Sequence, residues 1–137
     1  MCGAVTINAT LTGDRLRACH CDMCRAWTSS AFVSVASKPG SVTVDGPVKT
    51  IKSSDWAERA MCADCGSPLW YQITAEGPGF GDKNLAAGLF PESAGMDLKL
   101  EFYIDKKPDG YAFQGTHRQM TEADMLAIFA PKDGEAK

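Results

Sequence analysis

Six cysteines are the residues of this 137-residue sequence that are best suited to do chemistry. They occur in the segments "MCG", "CHCDMC" and "CADCG", at the positions Cys2, Cys19, Cys21, Cys24, Cys62 and Cys65. A disulfide between two cysteines that are separated by only one or two residues cannot join distant parts of a fold. The thiolates of such cysteines can instead face one metal ion. The spacing therefore predicts metal binding, with zinc as the natural metal for sulfur ligands.

The segment "CHCDMC" offers three thiolates, from Cys19, Cys21 and Cys24, which leaves a tetrahedral zinc ion one ligand short. Structural zinc sites are closed, whereas catalytic sites keep one position for water or substrate. A substrate thiol, with a pKa of about 8.5 in solution, would lose its proton at such a position and stay nucleophilic. This pattern predicts a site that activates thiols.

The segment "CADCG" is a knuckle in which Cys62 and Cys65 can face one ion, followed by a glycine that can adopt a positive φ. A first strand lying beside this knuckle would bring Cys2 to the same ion. On spacing alone a second arrangement stays open, in which the pairs 21/24 and 62/65 form one four-cysteine site as in zinc ribbons. The 37 residues between those pairs exceed the ribbon spacing, which is roughly 15 to 20 residues.

Alternation of apolar and polar residues predicts that short strands position these cysteines. The predicted strands are "AVTINATL" (residues 4–11), "RLRAC", "AFVSVA", "SVTVDG", "PVKTIKSS", "SPLWYQIT", "NLAAGLF" and "LKLEFYI". The segment "MTEADMLAIFA" predicts a short C-terminal helix that is capped by Thr121 and packs on the sheet. The sequence thus predicts a small, mainly β fold with antiparallel strands and a short C-terminal helix.

Length and charge exclude several classes of protein. The length is close to the commonest domain size, so we expect one domain over residues 1–130 and a polar C-terminal tail over residues 131–137. A net charge of -3 and a pI near 5.3 argue against nucleic acid as a partner. No apolar run reaches the roughly 18 residues that a membrane helix needs, and no signal peptide is recognisable. We therefore expect a cytoplasmic protein with no membrane partner.

With these motifs the sequence resembles the glutathione-dependent formaldehyde-activating enzyme (GFA) family, which includes the centromere protein V-like proteins. The resemblance covers residues 1 to about 115 and rests on "MCGAV", "CHCDMCRAWTSSAF", "CADCGSPLWY" and "FYIDKKPDGY". It implies a β-tent fold that holds two zinc ions per chain. It also implies a catalytic zinc bound by Cys19, Cys21 and Cys24, and a structural zinc bound by Cys2, Cys62 and Cys65.

The sequence departs from the family's pattern at the structural zinc. The family's first motif has a further cysteine two positions before Cys2, and this sequence begins at Met1. We therefore expect either an upstream residue that supplies the fourth ligand or an unusual ligand such as water or the terminal amine.

The resemblance also implies a carbon–sulfur lyase-type enzyme. In the family's reaction, glutathione adds to formaldehyde and gives S-(hydroxymethyl)glutathione, and a related thiol or another small aldehyde could replace either substrate. Two alternatives stay open on the same fold. One is a non-catalytic zinc-binding module, and the other is a thiol or redox sensor in which an exposed "CHCDMC" cluster loses zinc and oxidises.

Several cations are candidates for substrate contacts. Arg25 follows the "CHCDMC" segment and could pair with a substrate carboxylate or with the anionic metal site. Further candidates for the two carboxylates of glutathione are Arg15, Arg17, Arg59 and Lys106.

The histidines and aromatic residues are expected to have supporting roles. His20 should point away from the metal, with a proton shuttle as the alternative, and His117 should be solvated in a loop. The aromatic residues near the cysteines are expected in the core, with a pocket wall as the alternative. They are Trp27, Phe32, Trp70 and Tyr71.

Overall fold

The computed structural model describes residues 1–129, and most of its regular structure is β-strand. The strands are β1 (Thr6–Asn8), β2 (Arg15–Cys19), β3 (Phe32–Ala36), β4 (Thr43–Asp45), β5 (Val48–Ser54), β6 (Ala57–Cys62), β7 (Pro68–Ile73), β8 (Lys83–Ala86), β9 (Asp97–Phe102) and β10 (Arg118–Met120). The α-helices are α1 (Asp22–Thr28) and α2 (Glu122–Phe129), and short 3-10 helices occur at Ala87–Leu89, Pro91–Gly95 and Ile104–Lys106. The predicted polar tail, residues 131–137, lies outside the described residues.

Eight strands form one sheet in the order β10-β9-β2-β3-β8-β7-β6-β5, and β1 pairs with β4 in a separate two-stranded sheet. Pairing is antiparallel from β2 through β5 in this order, but β9 runs parallel to both of its neighbours. A parallel pair needs a long connection, and the chain between β2 and β9 contains six other strands. The predicted fold class, mainly β with antiparallel strands and a short C-terminal helix, is confirmed.

The hydrophobic core lies against the central strands of the larger sheet. Its buried members are Val35, Ala60, Leu69, Trp70, Leu85 and Ala87. Burial of a side chain as large as Leu stabilises a fold by about 1.5–3 kcal/mol. Trp70 belongs to this core, as the sequence predicts.

The first predicted strand is shorter than its alternating pattern indicates. Only Thr6–Asn8 pairs with β4, whereas Leu11 forms an isolated bridge with Ser37 at the end of β3. The chain changes its pairing partner within this stretch because β4 and β3 belong to different sheets. Alternation of side chains does not reveal such a change of partner.

The C-terminal helix α2 has the predicted cap but not the predicted packing. Thr121 Oγ1 accepts a hydrogen bond from the Asp124 backbone N–H at 3.2 Å, as expected for an N-cap. Most apolar side chains of α2 remain exposed, with Leu126 at 59% and Phe129 at 48%, and only Met125 is half-buried. The expected burial of this helix against the sheet is therefore not observed. Within the described part of the chain, no helix is long and apolar enough to cross a membrane.

Candidate metal centres

Cys19, Cys21 and Cys24 form the first candidate centre, here called the Cys19 cluster. Their three Sγ atoms lie within 4.8 Å of one another. Cys19 ends β2, and Cys21 caps α1, where its Sγ accepts a hydrogen bond from the Cys24 backbone N–H at 3.4 Å. Helix α1 is absent from the sequence-based prediction. Its first turn brings the third thiol back towards the other two.

A buried cation lies against the Cys19 cluster. Arg59 in β6 is 2% exposed, and its Nη1 donates a hydrogen bond to Cys24 Sγ at 3.5 Å. The rings of Trp27 and Tyr71 each have their centroid 5.0 Å from the guanidinium carbon. Arg59 is among the predicted contacts for a substrate carboxylate, but its burial places it against sulfur instead.

The thiols of the Cys19 cluster share negative charge unequally. Hydrogen bonds from Cys19 and Cys24 hold the pKa of Cys21 well below its usual value, and the charge of Arg59 acts in the same direction. The hydrogen bond to Cys21 raises the pKa of Cys19, as does burial. The structure thus favours a negative charge on one sulfur, which suits the binding of a cation.

Cys2, Cys62 and Cys65 form the second candidate centre, here called the Cys2 cluster, and their Sγ atoms also lie within 4.8 Å of one another. The Sγ atoms of Cys2 and Cys62 are 3.7 Å apart. A tetrahedral zinc ion with Zn–S bonds of about 2.3 Å separates its sulfur ligands by about 3.8 Å, so this spacing fits zinc. Gly66 closes the knuckle with a φ of 75° and an N–H that donates to the Cys62 carbonyl at 2.9 Å. Because the described cysteines group three and three, the single four-cysteine arrangement does not form.

Solvent reaches the Cys2 cluster more readily than the Cys19 cluster. Cys2 is exposed, Cys65 is half-buried, and a cavity of about 300 Å³ lies beside Cys2 and Cys62. Backbone N–H groups of Ser67 and Cys2 lower the pKa of Cys65 to about 6. The redox-sensor alternative assumes an exposed "CHCDMC" cluster, whereas Cys19 and Cys21 are half-buried and Cys24 is buried.

A buried polar network lies behind the Cys19 cluster. His20 is fully buried, and its Nε2 donates to Glu101 Oε1 at 2.8 Å, while its Nδ1 lies 3.3 Å from the Tyr111 hydroxyl. His117 also contacts Glu101, and Gln119 Nε2 donates to Glu101 Oε2 at 3.1 Å. Although burial raises the pKa of Glu101, hydrogen bonds from His20, His117 and Gln119 hold it below its ordinary value. His20 thus points away from the sulfurs, as predicted, and anchors the peptide between two ligands.

His117 and Glu101 differ from the sequence-based expectations. The side chain of His117 is 3% exposed rather than solvated, because Glu101 accepts its Nε2–H inside the fold. Glu101 is the buried centre of this network, and sequence reasoning missed it. The available signal was an acidic residue within the apolar segment "LKLEFYI", although strand alternation places that residue on the polar face.

The predicted substrate contacts Arg25 and Lys106 meet at one acidic side chain. Arg25 Nη2 lies 2.6 Å from Asp22 Oδ1, and Lys106 Nζ lies 3.7 Å from Asp22 Oδ2. Arg25 Nε also donates to the His20 carbonyl at 2.9 Å, so Arg25 supports the ligand-bearing segment. Of the other predicted cations, Arg15 is exposed and Arg17 half-buried along β2.

Two phenols lie close enough to the Cys19 cluster to respond to its charge. Burial raises the pKa of Tyr71 to about 12, and nearby thiolates add to this effect. Burial and the charge on Cys19 likewise raise the pKa of Tyr103 to about 12. Both hydroxyls therefore keep their protons at neutral pH. Tyr103 also has a φ of 56°, a left-handed conformation that is strained for an aromatic residue.

The sequence is similar to known proteins over the region that carries both clusters. A family model described as "Glutathione-dependent formaldehyde-activating enzyme" matches residues 1–106. A protein of Schizosaccharomyces pombe (strain 972 / ATCC 24843) that is named as an uncharacterized lyase is 33% identical over 129 residues. That similarity covers 92% of this chain and 90% of the yeast protein. The family match includes all six cysteines.

Proposed function

Because the chain belongs to the glutathione-dependent formaldehyde-activating enzyme family, we propose that it is a zinc-dependent enzyme of the carbon–sulfur lyase type. Its substrates are glutathione or another small thiol and formaldehyde or another small aldehyde. In the product an S–C bond has formed, the C=O π bond has opened, and the thiol proton has moved to the oxygen. The lyase name of the yeast protein supports this type of reaction.

The observation that carries the proposal is the Cys19 cluster. Among the described residues it brings together three sulfur ligands and no fourth protein ligand. Thiolates are soft ligands that suit zinc, and the buried Arg59 beside them suits a cluster that carries negative charge. When bound there, zinc supplies a Lewis-acidic centre that lowers the pKa of a neighbouring thiol.

We assign a structural role to a second zinc at the Cys2 cluster. Cys2 belongs to the N-terminal segment, whereas Cys62 ends β6 and Cys65 lies in the turn between β6 and β7. A metal held by all three residues would tie the start of the chain to the larger sheet. The sulfur spacing of 3.7 Å supports zinc as that metal.

Side chains beside the Cys19 cluster can bind and orient the substrates. Arg25 and Lys106 share the exposed carboxylate of Asp22, which a carboxylate of glutathione can replace. The protonated hydroxyls of Tyr71 and Tyr103 can donate hydrogen bonds to the aldehyde oxygen as negative charge develops on it.

The test of this proposal must measure acceleration, because a thiol adds to formaldehyde without a catalyst. Exchange between ¹³C-formaldehyde and its glutathione adduct can be followed by two-dimensional exchange NMR. We expect the wild type to accelerate the exchange and Cys21→Ala to return it to the uncatalysed rate, with one zinc per chain retained. Ser30→Ala is a matched control, since Ser30 is exposed just after α1 and outside both clusters. A zinc-loaded wild type that leaves the exchange rate unchanged would contradict the proposal.

A second candidate function, a thiol or redox sensor, is favoured by the exposed Cys2, whose Sγ lies 3.7 Å from that of the buried Cys62. Oxidation of this pair by a peroxide would form an S–S bond, reduce the peroxide and release the metal. Mass spectrometry after mild peroxide treatment should then find a Cys2–Cys62 disulfide with Cys19, Cys21 and Cys24 still reduced. Enzymatic turnover by a protein that forms no such disulfide under peroxide would favour the first proposal.

A further inference from the structure

Arg59 is a buried cation whose side chain meets sulfur rather than a carboxylate. Arg59 is 2% exposed, and its Nη1 lies 3.5 Å from Cys24 Sγ. Among the described residues, no Asp or Glu oxygen forms an ion pair with Arg59, and its Nε has no hydrogen-bond partner. Burial of a charge is unfavourable unless an opposite charge compensates it. The Cys19 cluster is the group that provides this compensation.

Aromatic rings hold the guanidinium of Arg59 in place. Trp27 from α1 and Tyr71 from β7 each have a ring centroid 5.0 Å from the guanidinium carbon. Cation–π contacts of this kind favour a fixed, planar guanidinium over a flexible ammonium group. Arg59 therefore presents a positive charge to the cluster at a defined position.

The charge balance of the Cys19 cluster shows what this arrangement favours. Three thiolates and one Zn²⁺ carry a net charge of -1, and Arg59 brings the sum to zero. An anionic fourth ligand then meets a neutral site instead of a negative one. A neutral ligand gains much less from the same positive charge.

We propose that Arg59 is a positioning residue that makes the Cys19 cluster selective for a thiolate over a neutral ligand. This inference rests on the proposed function, because it requires a metal at the Cys19 cluster. When a thiol binds there as a thiolate, its proton passes to solvent, and Arg59 offsets the charge that remains.

The test uses ligand binding to the cobalt-substituted protein at saturating Co²⁺, with visible absorption as the signal and no turnover required. 2-Mercaptoethanol serves as the thiol, because it has no carboxylate that Arg25 or Lys106 could bind. Imidazole serves as the neutral ligand. The variants are Arg59→Gln, which keeps a neutral N–H donor, and Arg59→Lys, which keeps the charge. Arg118→Gln, on the exposed start of β10, is the matched control.

In Arg59→Gln we expect the dissociation constant for 2-mercaptoethanol to rise by about tenfold or more, the usual scale for loss of a close charge pair. The constant for imidazole should change by less than about twofold, since its binding adds no charge. Arg59→Lys should recover part of the thiol affinity, and Arg118→Gln should match the wild type.

Two results would overturn the inference alone. Equal weakening of both ligands in Arg59→Gln would show a merely structural role, and unchanged thiol affinity in a folded Arg59→Gln would show no role. If Arg59→Gln fails to fold, Arg59→Lys decides the matter, because a loss of imidazole affinity at least as large as the loss of thiol affinity contradicts the inference. A wild type that binds neither ligand would instead overturn the proposed function together with this inference.

Discussion

The Cys19 cluster and the Cys2 cluster each contain three cysteine thiols, but the two clusters are assembled in opposite ways. The Cys19 cluster comes from one six-residue segment and is supported by the buried Arg59 and by a buried carboxylate network. The Cys2 cluster joins residues 60 positions apart, and it exposes its first cysteine beside a cavity of about 300 Å³. The two centres therefore differ in what surrounds them rather than in what they offer a metal.

In these two clusters, a free coordination position and exposure to solvent are separate properties, which a sequence pattern does not distinguish. The cluster that we propose for catalysis is the more buried of the two, and the cluster that we propose as structural is the more exposed. Loop-closure entropy supports the structural assignment. The entropic cost of closing a loop of about 60 residues exceeds that of a loop of about 5 residues by roughly 2 kcal/mol, so a metal that ties the longer loop restricts the chain more. A metal at the Cys2 cluster should accordingly contribute more to stability.

The largest expected effect on stability is therefore that of Cys62→Ala. This change removes a ligand of the Cys2 cluster and should lower the melting temperature by about 10 °C or more. Cys21→Ala should lower it clearly less, because the Cys19 cluster closes only a short loop. Scanning calorimetry with zinc counted per chain makes the comparison. If Cys21→Ala were the more destabilising change, the assignment of structural and catalytic roles would have to be reversed.

Gly46→Ala is expected to disturb the Cys2 cluster from outside its ligands. Gly46 has a φ of 116°, and an added Cβ would lie 2.1 Å from the Ala4 carbonyl oxygen. The N-terminal segment that carries Cys2 would have to move, at a cost of about 1–3 kcal/mol. Gly40→Ala is the control, since Gly40 has a φ of 75° with open space around its would-be Cβ. Faster zinc loss to a chelator in Gly46→Ala alone is the expected result, and equal rates in both variants would contradict it.

Glu101→Gln should affect the Cys19 cluster and the response to acid. The pKa of Glu101 is lowered in the folded state, so its charge contributes stability above its ordinary value of 4.5. This contribution is lost as the pH falls through the lower, folded-state value. We expect Glu101→Gln to reduce the free energy of unfolding at pH 7 by about 1–3 kcal/mol, the scale for hydrogen bonds to a charged group.

The difference between the wild type and Glu101→Gln should narrow below pH 4.5, because the wild type then also loses the charge. Urea unfolding at several pH values measures this, with the exposed Glu92→Gln as the control. A difference that stays constant down to the acid limit would show that the charge of Glu101 does not stabilise the network.

The smallest expected effect is that of Thr121→Ala, which removes the cap of α2. The Thr121 hydroxyl exchanges hydrogen bonds with Asp124 at the start of this helix. Loss of an N-cap costs about 1 kcal/mol, and zinc content should not change because neither cluster draws a ligand from α2. Denaturant unfolding and a zinc assay check both parts, and zinc loss in this variant would show that α2 supports a cluster.

Sequence patterns predicted the local features well and the buried polar contacts poorly. The strand that ends at Cys19 and the cap at Thr121 follow from neighbouring residues, and both are observed. The burial of His117 could not be predicted, because its partner Glu101 belongs to a strand whose parallel pairing is set by distant chain segments. The exposure of α2 was missed for a related reason, since an apolar helix face does not specify what covers it.

The sequence by itself determined that three thiols of "CHCDMC" lie together, because ligands separated by one or two residues stay close in almost any fold. It also determined a mainly β chain through its alternating segments. Only the tertiary structure decided that Cys2 reaches Cys62, that Arg59 lies against Cys24, and that His20 meets Glu101. These contacts join residues 60, 35 and 81 positions apart. They depend on strand order and register, which are set by the packing of the whole sheet and not by any local run of residues.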